Sequence, residues 1–386
     1  MRRSHCPIPQ WRNRIALAFA LPPSAPDPET LAVTTALRDL RRDNVRTVGA
    51  VTEGFLAGRT DPLAAAAALS DEAERCIREA LAIASASIAR RLGPAPGRCV
   101  VLALGGLGGR ELRFGSDLDL MLVFERAGEG YCPLAAAYFE ELARALVGAL
   151  SYHSVLGSFY EVDLRLRPHG DHGVLAVELQ AFRSYYLETC WTWELQALTR
   201  ARPVAGDPDL GRRVMSARRE AIGHGLGRPA GRILEDIREM RDLLEQEQPA
   251  ATDWDVKRAP GGLIDIEFIA QALQLTVGAK APTLPHHATP EALRRLARRG
   301  LLDADDAGVL GRSWALQLLI LQHQRAMAVG PAALVEQPPA RLATLLRSAG
   351  AQTIKALNRE RANAQRATRR LLHRLIGTEA SARIAA

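Results

Sequence analysis

The sequence predicts an α+β protein: a small mixed sheet with its own helices, followed by an all-helical bundle. Three observations predict it. Residues 99–104 and 117–124 are apolar runs too short for ordinary helices and bounded by glycine or polar residues, as buried strands are. Residues 159–167 alternate polar and apolar, the two-residue period of a strand, and stop at Pro168. Beyond Glu178 the apolar spacing is helical to the end of the chain.

The elements follow in order. Residues 1–35 carry Pro22, Pro23, Pro26 and Pro28 without any period, and weak order is expected there. Helical spacing fills 36–95, with helix-start signals at Pro62 and at Ser70-Asp71-Glu72. Gly93-Pro94-Ala95-Pro96-Gly97 breaks it sharply. A strand–strand–helix–strand core occupies 96–170, its helix at 133–150. The region 171–386 is assigned helices at 178–188, 192–200, 232–247, 263–277, 290–299, 304–329 and 351–376, punctuated by Gly and Pro.

Composition narrows the function classes. Of 386 residues, 47% are hydrophobic and 24% charged, enough for a packed core and too apolar for disorder. No apolar run approaches the ~20 residues of a membrane-spanning helix. The net charge of +7 is almost wholly arginine, the only lysines being Lys257, Lys280 and Lys355. The Arg-rich last helix lacks interleaved aromatics, so it is expected to be a solvated face and not a nucleic-acid surface. Cys6, Cys76, Cys99, Cys132 and Cys190 are scattered, with no zinc or redox spacing, and read as reduced thiols of a cytoplasmic protein. Residues 15–21, apolar and preceded by arginines, faintly resemble a signal peptide, but Pro22-Pro23 follows at once and a frayed N-terminus is expected instead.

The chemistry concentrates in 105–120. On a strand, Asp117 and Asp119 share one face while Leu118 and Leu120 share the other. Two such carboxylates repel unless a cation lies between them. Mg²⁺ suits them, because it prefers hard oxygens and keeps substrate phosphates in its shell. In 161–167, Glu161, Asp163, Arg165 and Arg167 share a face, so Asp163 is expected to complete a three-carboxylate cluster for two ions about 3.5–4 Å apart. Gly108 and Gly109, lacking Cβ atoms, let the backbone approach a phosphate, and Ser116 adds a hydroxyl. Arg165 and Arg167 would bind triphosphate oxygens or pyrophosphate; the alternative is pairing with Asp163 or Glu161.

Gly-Gly, then Ser116-Asp117-Leu118-Asp119, then a strand Asp resembles the nucleotidyltransferase superfamily and its polymerase-β-like fold. Leu107-Gly108-Gly109-Arg110-Glu111-Leu112, Asp163-Leu164-Arg165-Leu166-Arg167-Pro168, Trp191-Thr192-Trp193-Glu194-Leu195-Gln196-Ala197-Leu198 and Pro260-Gly261-Gly262-Leu263-Ile264-Asp265-Ile266-Glu267-Phe268 narrow the resemblance to the glutamine synthetase adenylyltransferase family, over about 37–376. That family carries two such halves in tandem. This chain has one, and 191–197, Arg200-Ala201-Arg202 and Asp265 resemble the adenylylating half. The resemblance implies ATP and Mg²⁺, transfer of AMP to a tyrosine of glutamine synthetase, and the PII signal protein as a regulator. The family's glycine loop has a lysine where this chain has Gly106; Arg110 and Arg113 are the nearby cations. Three alternatives stay open: phosphorolytic removal of AMP at the same site, a non-catalytic remnant binding glutamine synthetase or PII, and a small-molecule nucleotidyltransferase.

Three other features are weighed against bland readings. Asp265 and Glu267 follow Pro260-Gly261-Gly262 in the first turn of a helix, where its dipole already accounts for them, or they line a substrate cleft. Trp191, Trp193, Tyr185 and Tyr186 are expected in the core, with adenine stacking as the alternative. His153, His169 and His172 lack metal-ligand spacing.

Overall fold

The computed structural model describes residues 28–128, 133–154, 157–224, 227–277 and 285–377. The stretch 15–21, Cys6, Cys132 and Lys280 lie outside them. Helix α1 (Pro28–Leu56) starts inside the segment expected to be weakly ordered, and α2 (Pro62–Leu92) runs back along it. Asp61 sets the start of α2: its side chain accepts the Leu63 and Ala64 N–H groups at 2.9 and 3.0 Å, and Pro62 fits the first turn, where no N–H is needed. One face of α2, from Ala65 and Leu69 to Ala84 and Ile88, is buried at helical spacing.

The sheet contains β1 (Gly97–Ala103), β2 (Leu118–Arg126), β5 (Val162–Asp163), β6 (Ala176–Glu178) and β7 (Arg202–Gly206), in the order β5-β2-β1-β7 with β6 also on β2. Strand β1 runs antiparallel to β2 and β7, and β5 and β6 run parallel to β2. A one-turn helix α3 (Gly105–Gly108) links β1 towards β2, α4 (Pro133–Leu150) follows β2, and β3 (His153–Ser154) pairs with β4 (Gly157–Ser158).

Several expectations are corrected here. The second strand starts at Leu118, so Asp117 lies one residue before it. The long alternating strand at 159–167 does not form. Only Val162–Asp163 pairs, because the Asp163 side chain captures the Arg165 N–H at 2.8 Å and turns the chain. Arg165 and Arg167 therefore do not share a strand face with Asp163. The region beyond 178 is not all helix: β7 returns to the sheet, and together with β6 it carries the sheet past residue 170. Pro203 disguised β7, yet a proline is tolerated on an edge strand such as this.

The helices after β6 are α5 (Leu179–Glu188), α6 (Thr192–Thr199), α7 (Pro208–His224), α8 (Ala230–Glu247), α9 (Leu263–Val277), α10 (Thr289–Arg298), α11 (Ala304–Ala326), α12 (Pro339–Ser348) and α13 (Ile354–Ile376). Helices α7 and α12 were not foreseen. One apolar core runs through the sheet and these helices. The last helix is only partly a solvated face: Arg361 is buried with its guanidinium 5.2 Å from the Trp254 ring centre, and Arg369 pairs with Asp265 and Glu245. No helix among the described residues is long and apolar enough to cross a membrane.

Candidate active site

The site is built where β2 begins. Leu118 and Leu120 are buried, so the pleat turns Asp119 to the opposite side. The backbone is pinned on both edges: Leu118 N–H donates to Glu161 O at 2.8 Å, and Leu104 N–H donates to Asp119 O at 2.9 Å. In the parallel register Asp119 stands opposite Asp163, which brings those two carboxylates side by side. Asp117, just upstream, is exposed. Burial first, then Asp163, pushes the Asp119 carboxyl up to about 6, with Asp117 adding and Lys257 and Arg200 opposing.

Asp163 differs from its neighbour. Arg165 donates to it from both backbone and side chain, and these hydrogen bonds hold its pKa below the ordinary value. Arg167 is buried and donates to the carbonyls of Leu164, Gly173 and Val174. Its buried guanidinium thus closes a loop of backbone carbonyls, where a phosphate contact was expected. Among the described residues, no three acidic, His or Cys side chains converge closely enough to hold one ion as they stand. The donor set still fits a hard cation: oxygen ligands only, with Asp119 raised by burial first and then by its carboxylate neighbours.

The glycine turn serves packing. A Cβ on Gly108 would lie 2.3 Å from Arg200 O, and one on Gly109 would lie 2.0 Å from Arg200 Nη2. The space beside Gly108 and Gly109 is therefore filled by Arg200, not open to a phosphate. Arg200 is buried and donates to Gly105 O at 2.8 Å, Glu111 Oε2 at 2.6 Å and Thr289 Oγ1 at 3.1 Å. The Thr289 N–H donates to Glu111 Oε1 at 2.6 Å, which ties α10 to the turn. Helix α11 adds Gln322, which accepts from Phe114 N–H at 3.2 Å and donates to Leu112 O at 3.3 Å. Arg113 pairs with Glu267 of α9 at 2.9 Å. Three helices thus clamp the segment that delivers Ser116 and Asp117.

Two cavities open at this clamp. One of about 500 Å³ is lined by Ser116, Asp117, Glu161, Arg41, Arg113 and the ring of Tyr160, among others. The other, about 420 Å³, is lined by Lys257, Arg258, Asp255 and Phe114; both share Gly115 and Arg325. Sequence reasoning passed over Lys257, although it is one of three lysines in an arginine-rich chain and closely precedes Pro260-Gly261-Gly262. The aromatics it weighed for stacking, Trp191, Trp193, Tyr185 and Tyr186, line neither cavity. Asp265 is fully buried, accepting from Arg241, Arg369 and the Gly261 N–H, so it braces α8, α13 and the glycine turn. Of the two loop arginines near Gly106, Arg110 pairs with Asp71 and Glu74 of α2, and only Arg113 faces the cavity.

Residues 11–217 match the family described as glutamate-ammonia ligase adenylyltransferase, and residues 232–376 match the GlnD PII-uridylyltransferase family. A bifunctional glutamine synthetase adenylyltransferase/adenylyl-removing enzyme of Mesorhizobium japonicum is 39% identical over 74% of this chain and 29% of its own length. One of Caulobacter vibrioides, with the same description, is 37% identical over 88% of this chain and 34% of its own. The chain spans about a third of the length of the curated relatives it matches.

Proposed function

We propose, from the premise that this chain belongs to the glutamate-ammonia ligase adenylyltransferase family, that it transfers AMP from ATP to a tyrosine of glutamine synthetase. The single observation that carries the proposal is the register of Asp119 beside Asp163, with Asp117 two residues before Asp119 and lining a cavity that Arg41, Arg113 and Arg325 also line. A carboxylate whose pKa is raised by burial first, and then by Asp163 and Asp117, is short of positive charge, and a nucleotide arriving with Mg²⁺ would supply it. Asp117, Asp119 and Asp163 would hold that ion; when bound, it neutralises phosphate charge and orients the triphosphate.

The chain's own residues supply position and charge. Ser116 and the Gly115 turn line the place where the α-phosphate would lie, and the helix clamp fixes them. The tyrosine oxygen bonds to the α-phosphorus and gives up its proton to water or to the departing phosphate, as the bond from the α-phosphorus to the α,β-bridging oxygen breaks and pyrophosphate departs with that electron pair. No covalent intermediate on the protein is required, so holding the two reactants in line accounts for most of the rate. Asp163, once released from Arg165, would orient the acceptor hydroxyl. The match of the helical region to a family described as a PII-uridylyltransferase supports PII as a regulator, and the site's chemistry suits the cytoplasm, where ATP is found.

The test is incubation of the purified chain with α-labelled ATP, Mg²⁺ and glutamine synthetase from the same source. Label is expected on a glutamine synthetase tyrosine, with pyrophosphate released in equal amount. Absence of label, together with orthophosphate-dependent release of ADP from modified glutamine synthetase, would assign phosphorolytic removal of AMP instead.

A further inference from the structure

Helices α8 and α13 close on a separate, smaller cavity of about 70 Å³. It shares no lining residue with the two cavities at the clamp. Arg238, Arg241 and Asp242 line it from α8, and Arg369, Leu372 and His373 from α13, among others. Arg241 is only 2% exposed. Its Nε donates to Asp265, and its Nη1 lies 3.1 Å from Glu245 Oε2. Arg369 engages the same two acids, donating to Asp265 Oδ2 at 3.2 Å and reaching Glu245 Oε2 at 3.0 Å. Two guanidiniums thus share two carboxylates. The Arg241 Nη2 is buried and has no hydrogen-bond partner among the described residues. Arg238 reaches Glu235 only at 3.9 Å.

A buried N–H of a charged group without an acceptor costs more than an ordinary lost hydrogen bond. The lining decides what would satisfy it. Guanidiniums only donate, and the one carboxylate in the lining, Asp242, is exposed at the rim. A water accepts two hydrogen bonds at most and needs acceptors for its own protons. An oxyanion accepts from every donor present and needs none in return. The carbonyls at the end of α13 oppose it with about half a charge, which the unneutralised Arg238 outweighs. Liquid water takes about 30 Å³ per molecule. A space of about 70 Å³ therefore admits one tetrahedral oxyanion and excludes a nucleotide.

We propose that this cavity is an effector site for one small oxyanion, an inorganic phosphate or the phosphoryl group of a phosphomonoester, held by Arg241 Nη2 and Arg238. Its place in the fold gives it leverage. Arg241 and Arg369 both grip Asp265, which also accepts the Gly261 N–H at 2.7 Å. Further along α9, Glu267 pairs with Arg113. An anion binding both Arg241 and Arg238 would tighten the junction of α8, α9 and α13 from which that pair is held. The site is defined by its own residues and does not depend on the function proposed above.

The experiment is calorimetry on the full chain with inorganic phosphate and with glycerol 3-phosphate, without divalent metal and at fixed ionic strength set by chloride. Arg238→Gln, at a partly exposed position that should fold, is compared with wild type, and Arg341→Gln, on exposed α12, controls for the lost charge. Arg238→Gln is expected to weaken phosphate binding at least ten-fold, as loss of a charge-assisted hydrogen bond does. Arg341→Gln should leave it unchanged. Phosphate should also raise the melting temperature of wild type and not of Arg238→Gln. The ring resonance of His373, which lines the cavity, should move as phosphate is added. Tight glycerol 3-phosphate binding assigns the phosphoryl group of a larger ligand, and binding of phosphate alone assigns the free ion. Phosphate affinity equal in wild type and Arg238→Gln, or binding that leaves the His373 resonance unmoved, marks an adventitious ion only and overturns the site.

Discussion

The Cα of Gly105 lies against the carboxylate of Asp119: a Cβ on that glycine would stand 1.9 Å from Asp119 Oδ2. With φ at +49°, Gly105 also occupies the left-handed region that favours glycine. The turn and the carboxylate fit together only while residue 105 has no side chain.

Gly105→Ala should therefore displace Asp119. AMP transfer is expected to fall more than ten-fold, and the strained backbone to cost about 1–2 kcal/mol of stability. Thermal melting and initial rates check both. A normal rate would show that the position of Asp119 is dispensable.

Asp119 also predicts a pH dependence. Its carboxyl is raised from 3.8 to about 6 in the folded chain. Between those values it is protonated when folded and ionised when unfolded, so its contribution to stability falls as pH rises from about 4 to 6. The loss is at most about 3 kcal/mol. Asp119→Asn should remove this slope, making the metal-free protein relatively more stable above pH 6. Melting curves of both proteins across that range, without divalent metal, measure the difference. Parallel curves would mean that Asp119 carries no such strain.

Glu111 and Arg200 form a buried pair at 2.6 Å that joins the glycine turn to α6 and α10. Removing one partner strands the other charge. Glu111→Ala should cost about 3–5 kcal/mol, while Glu111→Gln, which keeps one acceptor, should cost less. Chemical denaturation decides it. A loss below about 1 kcal/mol for Glu111→Ala would deny the clamp its structural role.

Arg165 shields Asp163 but is largely exposed, so Arg165→Gln should leave melting within a few degrees of wild type. If Arg165 only masks the carboxylate, Mg²⁺ affinity should rise several-fold. If it binds phosphate, as its place in the sequence suggested, the KM for ATP should rise instead. Calorimetry with Mg²⁺ alone, beside ATP kinetics, separates the two.

Much of the fold was legible because local period announces it: β1, β2 and α4 to within two residues at each end, and most of the later helices. Strand β7 and helix α7 were not, since Pro203 and Gly211 break the local signals that tertiary packing then overrides. In the candidate site, the approach of Asp119 to Asp163 was legible from the Asp-x-Asp spacing and the later strand aspartate. The arginines were not. Whether Arg167 meets a phosphate or three carbonyls depends on a turn that Asp163 itself creates. Lys257 was passed over for a related reason: the charges that act on it, Arg113, Glu267 and Arg325, are distant in sequence and brought near it only by the fold.

The most direct test is the rate of AMP incorporation into glutamine synthetase by Asp117→Asn and Asp119→Asn, each paired with metal-free melting. Each substitution removes one hard ligand and one negative charge from a cluster that repels itself. Transfer is expected to be lost by at least a hundred-fold while melting temperature stays the same or rises. Near-normal transfer, or a large drop in melting temperature, would make these carboxylates structural and contradict the assignment of the site.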